Sequence, residues 1–171
     1  MYKKQEHVCI FGYSDSGYAG DKGDRKFTTG HCTFIRENLV TWRSKKQDVS
    51  RSSAEAEYRV IAHTACEMMW LKNILLEREF RQPEFLLMFC DNQSVIYIAQ
   101  NHVSYERTKH IEVDCHLVGY VWTKKVISLL FTLSSKQLTD LLTKAASPKV
   151  FSILCSKLGI IDIYAPAEGE C

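Results

Sequence analysis

Residues 52–79 read SSAEAEYRVIAHTACEMMWLKNILLERE and have the spacing of one long amphipathic helix. Its apolar side chains recur at helical intervals, which places them on one face; they are Tyr58, Ile61, Ala65, Met69 and Ile74. Ser52 and Glu55 fit a capping box, in which a serine hydroxyl and a glutamate side chain satisfy free amides of the first turn. Glu55 therefore has a structural role, which leaves Glu57, on another face, available for chemistry.

Short strand-like segments precede this helix. Residues 9–13 form an apolar run that ends near Asp15, and residues 31–35 and 39–43 form a hairpin with Glu37 and Asn38 at its turn. Strands and helices alternate after the long helix. The predicted segments are a strand over 85–90, helices over 92–100 and 110–125, a strand over 126–133, and helices over 135–145 and 148–158. The order βββαβααβαα predicts an α/β fold with a mixed sheet flanked by helices.

Composition excludes several classes of protein. An apolar fraction of 46% and a charged fraction of 25% are those of a globular domain, and a net charge of +2 does not by itself indicate a nucleic-acid binder. Seven scattered cysteines without a Cys-x-x-Cys pair argue against a disulfide framework and a structural zinc site. Cys9, Cys32 and Cys90 lie in strand-like runs and are predicted to be core residues.

We expect neither a secretory signal nor a membrane-spanning segment. The N-terminus is charged and lacks the apolar core of a secretory signal, and no apolar run is long enough to span a bilayer. We expect an intracellular protein without membrane contact, in the cytoplasm or in virus-like particles, with the nucleus as the alternative. We divide it into a domain over residues 1–158 and a C-terminal tail over 159–171.

Four acidic residues stand out by position: Asp15, Glu57, Asp91 and Asp140. Asp15 and Asp91 end predicted strands, and ligands gather at the carboxyl ends of parallel strands. Glu57 lies in the first turns of the long helix. A second capping box, Ser134 to Gln137, opens a late helix and leaves Asp140 without a capping role. Each aspartate also has a structural interpretation, since Asp15 can start a turn and Asp91 can cap a helix.

The chain resembles the ribonuclease H domain at the end of the polyprotein of copia-type retrotransposons. The matching segments are Gly12–Ser16, Ala19–Asp21, Trp42–Gln47, Arg51–Tyr58, Trp70–Lys72, Cys90–Gln93, Arg107–Ile111 and Gln137–Lys144. They follow the order of the family and cover nearly the whole chain. The resemblance implies a ribonuclease H-like fold with a five-stranded mixed sheet.

The resemblance also implies the chemistry. It assigns Asp15, Glu57, Asp91 and Asp140 as an Asp-Glu-Asp-Asp site for two Mg²⁺ ions, with Mn²⁺ as a substitute, in an endonuclease that hydrolyses the RNA strand of an RNA–DNA hybrid. The partner in the parent polyprotein would be a reverse transcriptase domain. Clustered carboxylates need such a cation, since they otherwise raise one another's pKa.

Substrate contacts are predicted on both sides of the acids. Arg43, Lys45, Lys46 and Arg51 form a basic stretch that would contact phosphates, although lysines on a hairpin edge are also an ordinary solvated surface. Asn92 and Gln93 would contact minor-groove edges or 2′-hydroxyls, or would cap the following helix.

Three alternatives to a nuclease can be compared with the sequence. An inactive or domesticated hybrid-binding module is the first, because the chain begins just before its first strand, without the reverse transcriptase domain. A transposase or integrase on the same kind of fold would need a glutamate near position 126, which is Val126 with non-acidic neighbours. Zinc binding is disfavoured, because no spacing suits a tetrahedral site among His102, His110, Cys115 and His116.

Overall fold

The computed structural model describes residues 8–18, 26–47, 52–80, 86–100 and 112–161. Its strands are β1 (Ile10–Tyr18), β2 (Phe27–Ile35), β3 (Asn38–Lys46), β4 (Leu86–Cys90) and β5 (Ile127–Phe131). Its helices are α1 (Ser53–Glu77), α2 (Gln93–Gln100), α3 (Glu112–Thr123), α4 (Asp140–Thr143) and α5 (Pro148–Leu158). The predicted order βββαβααβαα is confirmed, with a short 3-10 turn at Ser134–Lys136 between β5 and α4.

The five strands form one mixed sheet of order β3-β2-β1-β4-β5. β1, β2 and β3 pair antiparallel, while β4 pairs parallel with both β1 and β5. This arrangement confirms the predicted five-stranded mixed sheet. Because β1 and β4 are parallel neighbours, their carboxyl ends meet at the same edge of the sheet, which is where ligands of such sheets gather.

One face of the sheet packs against α1 in the larger hydrophobic core. Ile61 and Ala65 of the predicted stripe are buried there. The next buried residues of the helix are Met68 and Leu71, whereas Met69 is only half-buried. The C-terminal part of the predicted stripe is therefore displaced: Met68 and Leu71 are the core residues, and Met69 packs against the core from its edge. A helix has 3.6 residues per turn, so each interval of four residues between stripe residues moves the stripe by about 40° around the helix. Intervals of three residues move it in the opposite direction and so keep it facing the core.

The other face packs against the C-terminal helices. Cys32 and Phe34 of β2 contact a small core formed by Leu138, Leu154 and Leu158. α4 approaches β2 so closely that a Cβ on Gly30 would lie 2.8 Å from atoms of Leu142 and of Thr143. A glycine is needed at position 30 for this approach, which holds α4 against the sheet beside β1.

Two local predictions are wrong. The turn of the first hairpin is Arg36–Glu37, and Asn38 already belongs to β3. Cys9 is exposed, since its neighbours Val8 and Ile10 are the buried residues, while Cys32 and Cys90 are buried as predicted.

The predicted second capping box is also wrong. The Gln137 side chain is buried, and its Nε2 donates a hydrogen bond to the Ser14 carbonyl (3.0 Å). The Ser134 hydroxyl donates to Asp91 Oδ2 (3.1 Å). Because both polar groups bond to distant strands, the helix predicted from residue 135 begins only at Asp140.

The C-terminal part follows the prediction more closely. α5 ends at Leu158, and Gly159 adopts the left-handed conformation (φ 69°) that commonly terminates helices. The proposed division at residue 158 stays a prediction, since residues 162–171 lie outside the described part. Among the helices that the structure describes, none has the length and apolar character that crossing a membrane requires.

Candidate active site

Two neighbouring strands bring Asp15 and Asp91 together. The parallel pairing of β1 with β4 ends at Ser14 and Cys90, so the two aspartates are the next residues on the two strands. The sequence predicted that β1 ends at Asp15. The strand instead continues to Tyr18, because its antiparallel pairing with β2 extends that far. Asp15 thus lies where the parallel pairing stops, with its backbone still held in the sheet.

Helix α1 adds Glu57 to this pair. Carboxylate oxygens of Asp15, Glu57 and Asp91 all lie within 4.8 Å of one another. No other group of three or more potential metal ligands occurs in the described ranges. The three residues form what we call the acidic cluster.

Glu55 is directed elsewhere, and the part of the predicted capping box that involves the Ser52 hydroxyl is confirmed. Its backbone amide donates to the Ser52 hydroxyl (3.2 Å), and its carboxylate accepts from Arg59 Nη2 (3.1 Å). The structure therefore brings Glu57, and not Glu55, to the two aspartates.

Asp15 and Glu57 of the acidic cluster are buried, Asp91 is half-buried, and the cluster is short of positive charge. Burial, together with the neighbouring Asp15 and Asp91, raises the pKa of Glu57 to about 8, against opposing contributions from the Ser16 amide and from Lys144. The Ser16 amide donates to Glu57 Oε1 at 3.2 Å. Three such carboxylates cannot all be charged at neutral pH without a cation. Their oxygen-only donor set fits Mg²⁺ or Mn²⁺.

Helix α4 carries Asp140 to the same edge, together with Lys144. Lys144 Nζ lies 2.6 Å from Asp140 Oδ1 and 3.3 Å from Asp15 Oδ2. Asp140 thus approaches the acidic cluster through a lysine, and its role as a fourth metal ligand stays a prediction. Burial raises the pKa of Asp140 despite its hydrogen bond with Lys144. Burial alone would lower the pKa of Lys144, but Asp140 and Asp15 raise it overall, so the ammonium is charged.

Two hydroxyl groups orient the aspartates. The Thr143 hydroxyl donates to Asp15 Oδ2, and Ser134 donates to Asp91 Oδ2. Sequence reasoning missed both roles, and also that of Lys144. The four-residue spacing of Asp140 and Lys144 is a local signal that indicates their ion pair. No local pattern indicates the contacts of Thr143 and Ser134, because they join segments far apart in the chain.

The predicted phosphate-binding residues lie on the edge strand. Arg43, Lys45 and Lys46 are exposed on β3 and line a cavity of about 260 Å³, which we call the basic cavity. Its other lining residues come from β2, α1 and the end of β3: Thr29, His31, Gln47, Arg59, Val60 and His63. Arg51 lies outside the described residues. The structure therefore brings three of the four predicted basic residues to one cavity.

The two amides after Asp91 lie at the start of α2. Asn92 Oδ1 accepts a hydrogen bond from the Val95 amide (3.2 Å), so Asn92 caps the helix, as its structural interpretation predicted. Gln93 is exposed. A contact of Asn92 or Gln93 with substrate stays a prediction.

Solved structures identify the class of fold. The LC11 ribonuclease H1 in complex with an RNA/DNA hybrid matches with a TM-score of 0.56 at 13% identity, over 78% of this chain and 93% of its own. The N-terminal ribonuclease H domain of a Mycobacterium tuberculosis protein, fused to maltose-binding protein, matches with a TM-score of 0.58 at 12% identity, over 87% and 97%. The chain therefore has a ribonuclease H-like fold.

Sequence relatives identify the family. The chain is 36% identical over 159 residues to the retrovirus-related Pol polyprotein from transposon RE1 of Arabidopsis thaliana, covering 92% of the chain and 11% of the polyprotein. The polyprotein from transposon RE2 of the same plant is 33% identical over 168 residues, which is 98% of the chain and 12% of that protein. The chain is thus a homologue of one part of the transposon Pol polyproteins, and it spans about a tenth of their length. No family model matches it.

Proposed function

We propose that the chain is a metal-dependent endonuclease that hydrolyses the RNA strand of RNA–DNA hybrids. One observation carries this proposal: the acidic cluster lies at the carboxyl ends of the parallel strands β1 and β4, in a ribonuclease H-like fold. Asp15, Glu57 and Asp91 would hold the divalent cation, and Asp140 would complete the site from α4. Two Mg²⁺ ions, when bound, would supply an activated water and stabilise the leaving oxygen of the phosphodiester.

The chain's own side chains would prepare this site. Thr143 and Ser134 fix the orientations of Asp15 and Asp91 by hydrogen bonds, as outer partners of metal ligands generally do. The Ser16 amide holds one oxygen of Glu57, and the Cys90 thiol makes a longer contact of 4.0 Å with the other. A preorganised set of carboxylates of this kind loses little freedom when the cation binds.

The basic cavity would position the hybrid. The LC11 ribonuclease H1, which has a similar fold, is known in complex with an RNA/DNA hybrid. Arg43, Lys45 and Lys46 would bind backbone phosphates without reading sequence. Gln93, exposed directly after the acidic cluster, would contact the 2′-hydroxyls that distinguish RNA from DNA. In a parent polyprotein, the reverse transcriptase domain would supply the hybrid.

A cleavage assay tests the proposal. The purified chain is incubated with a hybrid labelled on its RNA strand, in Mg²⁺ or Mn²⁺ and in EDTA. We expect cleavage of the RNA strand that needs the metal and is lost in Asp15→Asn and in Asp91→Asn. Glu55→Gln is the matched control, because Glu55 is acidic, lies on the same helix turn as Glu57 and points away from the cluster. Undiminished cleavage by Asp15→Asn would overturn the proposal, and hybrid binding without cleavage by the wild type would favour the inactive module.

A further inference from the structure

Lys144 supplies the positive charge closest to the acidic cluster that the described contacts record. Its ammonium bridges two carboxylates from different elements, Asp15 of β1 and Asp140 of α4, at 3.3 and 2.6 Å. Asp15 is almost fully buried, with 3% of its side chain exposed, whereas the side chain of Lys144 is 43% exposed. The lysine thus reaches from solvent into the site.

This position is one that a divalent cation would also use. An ion shared by Asp15 and Asp140 would bind the same two carboxylates that the ammonium now contacts. Two cations held by the same two carboxylates repel each other strongly at a separation of a few ångströms. The lysine and a cation between Asp15 and Asp140 therefore exclude each other, whereas a cation on the side of Glu57 and Asp91 leaves the contact of Lys144 with Asp140 intact.

The attachment of Lys144 allows it to leave. Lys144 is the residue that ends α4, its backbone is extended there, and its flexible four-carbon stem is partly in solvent. Thr143, the preceding residue, makes its own hydrogen bond to Asp15, and this bond does not involve the lysine. Movement of the lysine side chain would therefore not detach α4 from the site.

We propose that Lys144 is an exchangeable internal cation that fills the second cation position of the site. This inference rests on the proposed metal-dependent function. In the metal-free protein the ammonium holds Asp15 and Asp140 together. The first divalent ion binds among Asp15, Glu57 and Asp91 with the lysine in place. The second binds between Asp15 and Asp140 only when Lys144 moves into solvent, so the two ions bind in sequence and with unequal affinity.

Mn²⁺ titration of four proteins tests this inference: the wild type, Lys144→Met, Lys144→Arg and Lys149→Met. Methionine keeps the length of the lysine stem without its charge, arginine keeps the charge, and Lys149 is an exposed lysine of α5. We expect one tight and one weak ion in the wild type. Lys144→Met should bind the second ion about tenfold more tightly, the effect of removing a competing, partly exposed ion pair. Without metal it should also unfold at a lower temperature than the wild type, and Mn²⁺ should raise that temperature more.

The outcomes separate the inference from the function on which it rests. If Lys144→Met and the wild type bind two ions with equal affinities, the role of Lys144 is overturned and the metal site stands. If neither binds Mn²⁺, the proposed function is overturned together with it. If the Lys144→Met variant does not fold, a measurement on the wild-type protein alone still tests the inference. The nitrogen NMR signal of the Lys144 ammonium should move to the position of an exposed lysine as the second Mg²⁺ binds, and an unchanged signal up to saturation would contradict the exchange.

Discussion

Helix α1 contributes to two regions of opposite charge through residues only two positions apart. Glu57 enters the acidic cluster, where burial and two aspartates raise its pKa to about 8. Arg59, on the other side of the helix, lines the basic cavity and is already balanced by Glu55 and by Asp114, whose Oδ2 lies 3.8 Å from its Nε. The difference indicates two kinds of site. The acidic cluster has three carboxylates and, among the described contacts, the one ammonium of Lys144, while Arg59 of the basic cavity already has two carboxylate partners.

The largest expected effect separates the two neighbouring glutamates of α1. Glu57→Gln should weaken Mn²⁺ binding by about a hundredfold or more, because it removes a ligand from a buried set of three. Glu55→Gln should change the affinity by no more than a few fold, because its carboxylate is paired with Arg59. Electron paramagnetic resonance of free Mn²⁺ measures both affinities. Equal losses in the two variants would contradict the assignment of the acidic cluster.

The pH dependence of stability should have opposite signs in the two regions. In EDTA, the free energy of unfolding should fall as pH rises from 4.5 to about 8. In this range Glu57 loses its proton readily in the unfolded chain, whereas the folded protein, with the raised pKa, keeps it. His31 of the basic cavity behaves oppositely: burial, with Arg43 and His63, lowers its pKa to about 4, so stability should fall as pH drops from 6.5 to 4.

Urea unfolding at a series of pH values measures both trends. Glu57→Gln should flatten only the loss of stability as pH rises from 4.5 to about 8. His31→Gln should flatten only the loss of stability as pH drops from 6.5 to 4. Each fall should be on the order of a few kcal/mol, because a pKa difference of one between the folded and unfolded states corresponds to about 1.4 kcal/mol. If the free energy of unfolding of Glu57→Gln still falls as pH rises to about 8, a group other than Glu57 causes that fall.

A smaller effect is expected from separating α4 from the sheet. Gly30→Ala places a methyl group 2.8 Å from Leu142 and Thr143, which should destabilise the fold by about 1–3 kcal/mol and displace α4. Since α4 carries Asp140 and Lys144, Mn²⁺ binding should weaken as well. Hybrid binding in EDTA should be retained, because the basic cavity lies on the α1 side of the sheet. Thermal unfolding and a metal titration test this, and an unaltered second ion would count against the proposed part of α4 in the site.

The smallest expected effect concerns the basic cavity. Replacing Arg43 and Lys45 together by Gln should weaken hybrid binding by about tenfold at low salt and reduce the salt dependence of the affinity by about two charges. Fluorescence anisotropy over a range of salt concentrations measures both quantities, with Lys149→Gln as the control. If the double variant keeps the wild-type salt dependence, the hybrid lies elsewhere on the surface.

The sequence indicated those residues of the candidate site that are marked by patterns only a few residues long. The end of a buried strand located Asp91, and the capping role of Glu55 selected Glu57, because both signals lie within a few residues. It did not indicate that Lys144 bridges two carboxylates or that Thr143 bonds to Asp15, since these contacts form only when α4 packs on β2. The second capping box failed for the same reason: Gln137 bonds to β1 rather than to its own helix.

The most direct test of the acidic cluster is the anomalous scattering of Mn²⁺ in crystals of the chain grown with a hybrid. We expect an anomalous peak within about 2.5 Å of carboxylate oxygens of Asp15, Glu57 and Asp91. A second peak between Asp15 and Asp140 should appear only together with a displaced Lys144. Mn²⁺ bound elsewhere, with no peak at the three carboxylates in saturating metal, would show that the acidic cluster is not the metal site.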